Sequence, residues 1–256
     1  MDLKKILAVL VLIIVLIAGA FVLYLQRNKI SNNDQSPQKT AETDRSVQQI
    51  TIENQTITDN TNPFVIKITY PQIAGFDDFN QKAKAIVDKE ISDFKSNSLA
   101  NDEVVKQVDP VNYAKYPRTY ELDMGYDKGE TDSNIVSVIF NVYNFEGGAH
   151  GTGYFVPLNY NVKTNAEIKL ADLFLNQSDY LQKISNYCTT DLTKQLIDKL
   201  GSIDGTYLQE GAGPNADNFQ FFLINKDSIV FYFPQYQVAF GAAGDFKVIM
   251  SRSPNN

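Results

Sequence analysis

The chain has a single histidine and a single cysteine, which removes most metal sites and most catalytic designs that depend on imidazole. His150 stands in Glu146-Gly147-Gly148-Ala149-His150-Gly151-Thr152-Gly153, where four glycines in seven residues permit positive φ and close backbone approach. Glu146 and His150 would there form a binding or acid–base pair. The plainer account is a glycine-kinked connection whose imidazole bonds to main chain, and without a second His or a Cys nearby we favour it. Cys188 falls on the apolar stripe of a helix, the usual place of a cysteine that acts as a small hydrophobe, so a thiolate dyad with His150 is not expected. No G-x-S-x-G elbow offers a serine nucleophile.

Carboxylates are plentiful, at 30 Asp and Glu. Two of them suffice for glycoside hydrolysis, so that reaction stays open, but no pair is singled out. Asp123, Asp127, Glu130 and Asp132 gather around a turn without the spacing of a calcium loop, and acidic turns are ordinarily solvated. Gly211-Ala212-Gly213-Pro214-Asn215-Ala216 lacks the preceding strand and following helix of a dinucleotide loop and reads as a plain loop. Tyr113, Tyr116, Tyr120, Tyr126, Tyr232 and Tyr236 are expected mostly in the core or on sheet faces, any exposed ones serving a protein-binding surface. No cofactor or metal is expected.

The elements that must position these groups alternate strands and helices. Phe64 to Tyr70 is a β-branched and aromatic run that Pro71 should stop. Phe79, Ala83, Ile86, Val87, Ile91 and Phe94 recur at three- and four-residue steps behind Asp77 and Asp78, the mark of a helix with a favourable charge at its start. Strands follow over Arg118 to Asp127, Asn134 to Tyr143 and Tyr154 to Val162, the first two joined by the turn Lys128 to Asp132. A second helix spans Asp179 to Leu200 and ends at Gly201. Phe219 to Ile224 and Ile229 to Phe233 read as a hairpin, and Phe246 to Met250 as a last strand. The order implies an α+β fold of two halves, each a mostly antiparallel sheet packed by a helix, with borders at 50–133 and 134–256.

Composition narrows the functional classes. An apolar share of 43% is enough for a core, a formal charge of −7 lacks the basic stripe of a nucleic-acid binder, and one Cys excludes an internal disulfide framework. Ile6 to Leu25 is an uncharged apolar run long enough to cross a bilayer as a helix, read as an uncleaved membrane anchor over 1–25. The polar stretch 26–49 reads as a flexible linker. The short N-terminal tail favours an orientation that puts the acidic body outside the cytoplasm.

Three ordered segments resemble a known domain pair. Tyr143-Asn144-Phe145-Glu146-Gly147-Gly148-Ala149-His150-Gly151, Leu158-Asn159-Tyr160-Asn161 and Ile168-Lys169-Leu170-Ala171-Asp172-Leu173-Phe174 are similar to the extracytoplasmic domain of RsiV-type anti-sigma factors, which also accompanies PdaC-type peptidoglycan deacetylases. Phe233 to Ala239 and Gly241-Ala242-Ala243-Gly244 match the closing loop and strand of that domain. Ile68-Thr69-Tyr70-Pro71-Gln72-Ile73 with Phe79-Asn80 resembles its partner domain of unknown function. Five residues before the apolar run leave no room for a sigma-binding region, and one His does not match the paired His and Asp ligands of a deacetylase catalytic domain. Asn165-Ala166 replaces a glycine turn and Phe240 an expected proline. The resemblance implies a non-catalytic envelope module that recognises a lysozyme-like protein or peptidoglycan. Its binding edge is expected at Glu146, Gly147, Gly148, His150 and Gly151 together with Tyr236, Phe240 and Gly244. A carboxylate glycan hydrolase and a purely structural envelope protein are the alternatives.

Overall fold

Phe79, Ala83, Val87, Glu90, Phe94 and Ser98 form one buried stripe down helix α1 (Asp77–Val108) in the computed structural model, which describes residues 50–116, 118–175 and 177–252. Asp77 and Asp78 occupy its first turn, where the helix dipole favours them. The helix continues well past Phe94, the last residue of the recognised stripe, and Leu99, Val104 and Val108 on this extension are exposed. The expected anchor over 1–25 and linker over 26–49 lie outside the described residues. Among the described residues no helix is long and apolar enough to cross a membrane.

The stripe packs on one face of a six-stranded sheet. Its strands are β1 (Ile52–Asp59), β2 (Phe64–Ile73), β3 (Tyr120–Thr131), β4 (Ile135–Phe145), β5 (Thr152–Asn161) and β6 (Ala166–Glu167), adjacent in chain order. Every pairing is antiparallel except β2 with β3, because α1 and the short α2 (Pro110–Lys115) return the chain to the starting end before β3 begins. The α+β class holds, with a mixed larger sheet. β1 was not legible as a strand because Ile-Glu-Asn-Gln-Thr-Ile-Thr-Asp is polar and forms an edge. β2 runs through Pro71 to Ile73, since beyond Ile68 it has no β3 partner and proline is tolerated on a strand with one neighbour.

Alternation sorts the two faces of this sheet. Tyr120, Leu122 and Met124 of β3, Val136, Val138, Phe140 and Val142 of β4, and Leu158 and Tyr160 of β5 join the helix stripe in a first core. Glu121, Asp123, Gly125 and Asp127 of β3 therefore face the other way, as do Ser137, Ile139, Asn141 and Tyr143 of β4.

A second core is built by α3 (Tyr180–Leu200), α4 (Gly205–Ala212) and an antiparallel sheet of β7 (Phe222–Ile224), β8 (Ser228–Phe233) and β9 (Phe246–Ser251). Ile184, Cys188, Leu192 and Leu196 share the buried face of α3, and Gly201 at φ +75° ends the helix as the sequence indicates. The Gly211 segment differs from expectation: Gly211 and Ala212 close α4. A Cβ on Gly211 would lie 1.8 Å from the Gln237 carbonyl, so glycine here serves backbone contact between α4 and the closing loop. The first core collects residues 66 to 160 and the second 170 to 248, while the expected border at 133/134 lies in the turn of the β3–β4 hairpin. Two strands bonded along that length belong to one sheet.

The small sheet meets the outer face of the large one through its edge strand β7. Ser137 Oγ donates to Asn159 Oδ1 (2.6 Å), Asn159 Nδ2 donates to the Phe222 carbonyl (2.9 Å), and the Ile224 N–H donates to Ser137 Oγ (2.8 Å). Ile139, Phe155, Leu223, Val230 and Tyr232 close an apolar cluster beside this knot. Replacing Asn159 with Ala strands the Phe222 carbonyl and the Ser137 hydroxyl. At about 1–3 kcal/mol per buried unpaired group, we expect a loss of about 2–4 kcal/mol in urea unfolding. Ser137→Ala should lose at least ~1 kcal/mol by stranding the Ile224 N–H.

Candidate functional site

The small sheet covers only part of the outer sheet face. The uncovered part forms the floor of a cleft of about 720 Å³ lined by Glu121, Asp123 and Gly125 of β3, Asn141 and Tyr143 of β4, and Gly153 and Phe155 of β5. Gln235, Gly244 and Asp245 of the closing loop supply the opposite wall. Strand register orders the floor into rows: Asp123, Tyr143 and Gly153 lie side by side, and Gly125, Asn141 and Phe155 form the next row. A Cβ at Gly125 would meet nothing within 4 Å, and one at Gly153 only the Val142 carbonyl at 3.9 Å. These two glycines are what gives the floor its depth. Tyr143 is 42% exposed, and its ring lies against Gly151, where any Cβ would overlap it.

Asp127 bounds the covered end of this face. It accepts from Tyr232 (2.9 Å) and pairs with Lys247 (3.1 Å), whose ammonium also stands 4.6 Å from the centre of the Tyr232 ring. Burial works to raise the Asp127 carboxyl, but bonds from Lys247, Tyr232 and Asn141 outweigh it and hold the group below its ordinary value. The Tyr232 phenol is pushed up, first by burial and then by its bond to Asp127. Since Asn141 lines the cleft, this network helps to fix the cleft floor.

The residues proposed from sequence fall on two loops. Glu146, Gly147, Gly148, His150 and Gly151 lie in the β4–β5 connection, tied to α1. Glu146 accepts from Asn144 (3.1 Å) and Asn97 (3.4 Å), its carbonyl accepts from Asn101 (3.2 Å), and the Gly147 carbonyl accepts from Arg118 (3.4 Å). Gly147 has φ +93°, and a Cβ there would press on the Tyr120 ring at 2.9 Å. Tyr120 and Tyr113 both donate to Asp102 of α1, which completes the clasp. His150 is exposed, with Nδ1 2.9 Å from the Gly151 carbonyl. Cys188 is fully buried and its thiol is pushed up to about 12 by burial, then by Asp191. A buried, protonated thiol and an exposed imidazole make no dyad.

On the closing loop, Gly244 lines the cleft, whereas Tyr236 and Phe240 stand outside its lining, 55% and 52% exposed. Tyr236 adopts φ +74°, a left-handed conformation that costs a non-glycine residue about 1–3 kcal/mol. Its ring packs where a Cβ on Gly241 would stand. The loop is pinned on both sides of it: Gln235 donates to the Gly241 carbonyl, and Gln237 donates to the carbonyls of Gly211 (2.7 Å) and Asn218 (2.9 Å).

The acidic cluster named from sequence is dispersed. Asp123 enters the cleft, Asp127 pairs with Lys247, Glu130 with Arg252 (3.0 Å), and Asp132 caps the Asn134 and Ile135 N–H groups. Among the described residues no group of three or more His, Cys, Asp or Glu side chains is placed to hold a metal ion. Glu121, Asn141, Tyr143, Gln235 and Asp245 escaped the sequence reading. The available signal was period-two alternation, which sets Glu121 and Asp123 opposite Tyr120, Leu122 and Met124.

The class is a tandem pair of family domains, and both are present. Residues 57–152 match the family model described as deacetylase PdaC, and residues 171–253 match DUF3298, a protein family of unknown function. The chain is homologous to the peptidoglycan-N-acetylmuramic acid deacetylase PdaC of Bacillus subtilis, 29% identical over 202 residues. That match covers 79% of this chain and 40% of the deacetylase. An esterase of Mycobacterium tuberculosis is 25% identical over 137 residues, 52% of this chain and 58% of that protein. The chain thus spans less than two thirds of either relative. Crystal structures of DUF3298-family proteins share the fold: one from Bacteroides fragilis has a TM-score of 0.50 at 17% identity, covering 79% of this chain and 88% of that one. Another, from Pseudomonas aeruginosa, has a TM-score of 0.50 at 11% identity, covering 82% and 97%.

The Asp127 network sets a pH dependence. A carboxyl held below its unfolded value, near 4, adds stability that is complete above that value and is lost as pH falls through the folded one. Asp127→Asn should therefore lower the urea midpoint at pH 6 and make less difference at pH 3, as measured by unfolding at both.

Proposed function

We propose that this chain is a non-catalytic recognition module of the cell envelope whose ligand, a lysozyme-like protein or a wall polymer, occupies the cleft between the β3–β5 face and the closing loop. In this reading the apolar N-terminal segment holds the module on the membrane and the acidic body faces outward. One observation carries the proposal: an open cleft walled by carboxylates, amides and a tyrosine, with the imidazole outside it and the thiol buried elsewhere. Such a surface supplies hydrogen bonds and negative charge without an activated nucleophile. Homology to a peptidoglycan deacetylase supports the envelope setting.

A hydrolytic reading draws on the same geometry, since Glu121, Asp123 and Asp245 all reach the cleft and two carboxylates can suffice for glycan cleavage. Release of reducing sugar from peptidoglycan, abolished by Asp123→Asn, would put hydrolysis in place of simple recognition.

Gly125→Leu tests the site. The new side chain enters free space on an ordinary strand backbone, so it should fill the cleft with stability unchanged or higher by up to about 1 kcal/mol. We expect the full chain to retain lysozyme or purified peptidoglycan in a pull-down and this variant to lose at least tenfold in affinity. Equal retention by both would move the site away from the cleft, and retention of neither ligand by the native chain would end the recognition proposal.

A further inference from the structure

The cleft is chemically more particular than an acidic depression. Its lining contains three carboxylates, two amides and three aromatic residues, of which Tyr143 is half-exposed, and no Lys, Arg or His. Among the described residues Glu121, Asp123 and Asp245 form no salt bridge, whereas Asp59, Asp88, Asp93, Asp127, Glu130 and Glu167 each do. Asp123 and Glu121 on the floor therefore face the open space unpaired, while beside Asp245 the Lys199 ammonium lies 3.7 Å from where a Cβ on Gly244 would stand. Tyr143 stands in that space with Asp123 on one side and the bare backbone of Gly153 on the other. A flat aromatic ring beside an empty strip of sheet suits the apolar C–H face of a pyranose ring. The amides of Asn141 and Gln235 suit its hydroxyl groups, since each can donate and accept. What remains for the ligand to satisfy is negative charge, and a neutral sugar does not do that.

Resting on the recognition reading above, we propose that the cleft binds a glycan carrying free amino groups. Tyr143 is the stacking platform, Asp123 receives the sugar ammonium beside it, and Glu121 on the floor and Asp245 on the opposite wall hold a second ammonium. The same ring bearing an N-acetyl group has no positive charge and adds bulk next to Asp123, so the cleft discriminates against it on both counts. A glycan of this kind arises by hydrolytic de-N-acetylation, which places the module downstream of a reaction of that class. Recognition through charge also makes binding salt-dependent, because the cleft is open to solvent.

The test is titration calorimetry of the full chain at about pH 5.5, above the carboxylate range and below the ordinary range of amines. Hexamers of glucosamine and of N-acetylglucosamine serve as the two probes. We expect the amino hexamer to bind at least tenfold more tightly, Asp123→Asn to remove most of that preference, and Tyr143→Ala to weaken both sugars while Tyr143→Phe retains binding. All three substitutions are at exposed side chains, and thermal unfolding verifies that each variant is folded. Equal affinity for the two hexamers, or an unaltered preference in Asp123→Asn, overturns the inference. Binding of lysozyme or peptidoglycan without either hexamer overturns it too but leaves the recognition reading standing. Failure of every ligand removes both.

Discussion

A β-strand at the edge of a sheet has backbone donors and acceptors that must be satisfied if the edge is buried. In this protein the edge is β7, and its partners are two side chains of the other sheet. Ser137 and Asn159 stand where further backbone would, completing the Ile224 N–H and the Phe222 carbonyl. The bond between the two side chains leaves both buried residues fully engaged. The opposite edge is treated similarly: Gln195 donates to the Lys247 carbonyl (2.9 Å) and Tyr187 to the Ile249 carbonyl (3.0 Å). The β7 contact also explains Gly129, whose Cβ would stand 2.3 Å from the Ile224 carbonyl. Where β7 lands decides which part of the outer sheet face is covered.

Because β7 is only three residues long, it covers only part of that face. Charge is distributed accordingly. On the covered side, Asp127 and Glu130 have Lys247 and Arg252 as partners, since a carboxylate losing water needs compensation. On the open side, Glu121, Asp123 and Asp245 keep their hydration and need no protein cation. The cleft is thus a remainder, the part of a sheet face that its covering layer does not reach. Its openness and its unpaired carboxylates come from the same incompleteness.

The closing loop shows the opposite economy. Gln235 and Gln237 use side-chain donors to immobilise a segment without regular structure, and Tyr236 is held in a conformation that its side chain resists. Rigid, strained surface segments are costly for a fold, and the strain is compensated by packing of the ring on Gly241. The β4–β5 loop is fixed too, by asparagines of α1 and by Arg118. Glu146 is consumed in that clasp, which is why its proximity to His150 in sequence does not create an acid–base pair.

Local pattern alone determined the two helices that carry the cores, the alternation of β3, the hairpin of β7 and β8, and the terminating role of Gly201. Each depends on the spacing of side chains along one segment, which sequence records directly. The tandem domain pair was likewise legible from short motifs in order. Edge strand β1, the passage of β2 through Pro71 and the helical end at Gly211 were not, because each is decided by which neighbour is present or absent. The candidate site belongs to this second kind. Glu121 and Asp123 look like any solvated pair until β4 sets Tyr143 beside Asp123, β5 adds the vacant Gly153, and a loop over 90 residues further on brings Asp245 to the opposite wall. A linear chain specifies which face each residue takes; only packing decides which part of that face stays open to water.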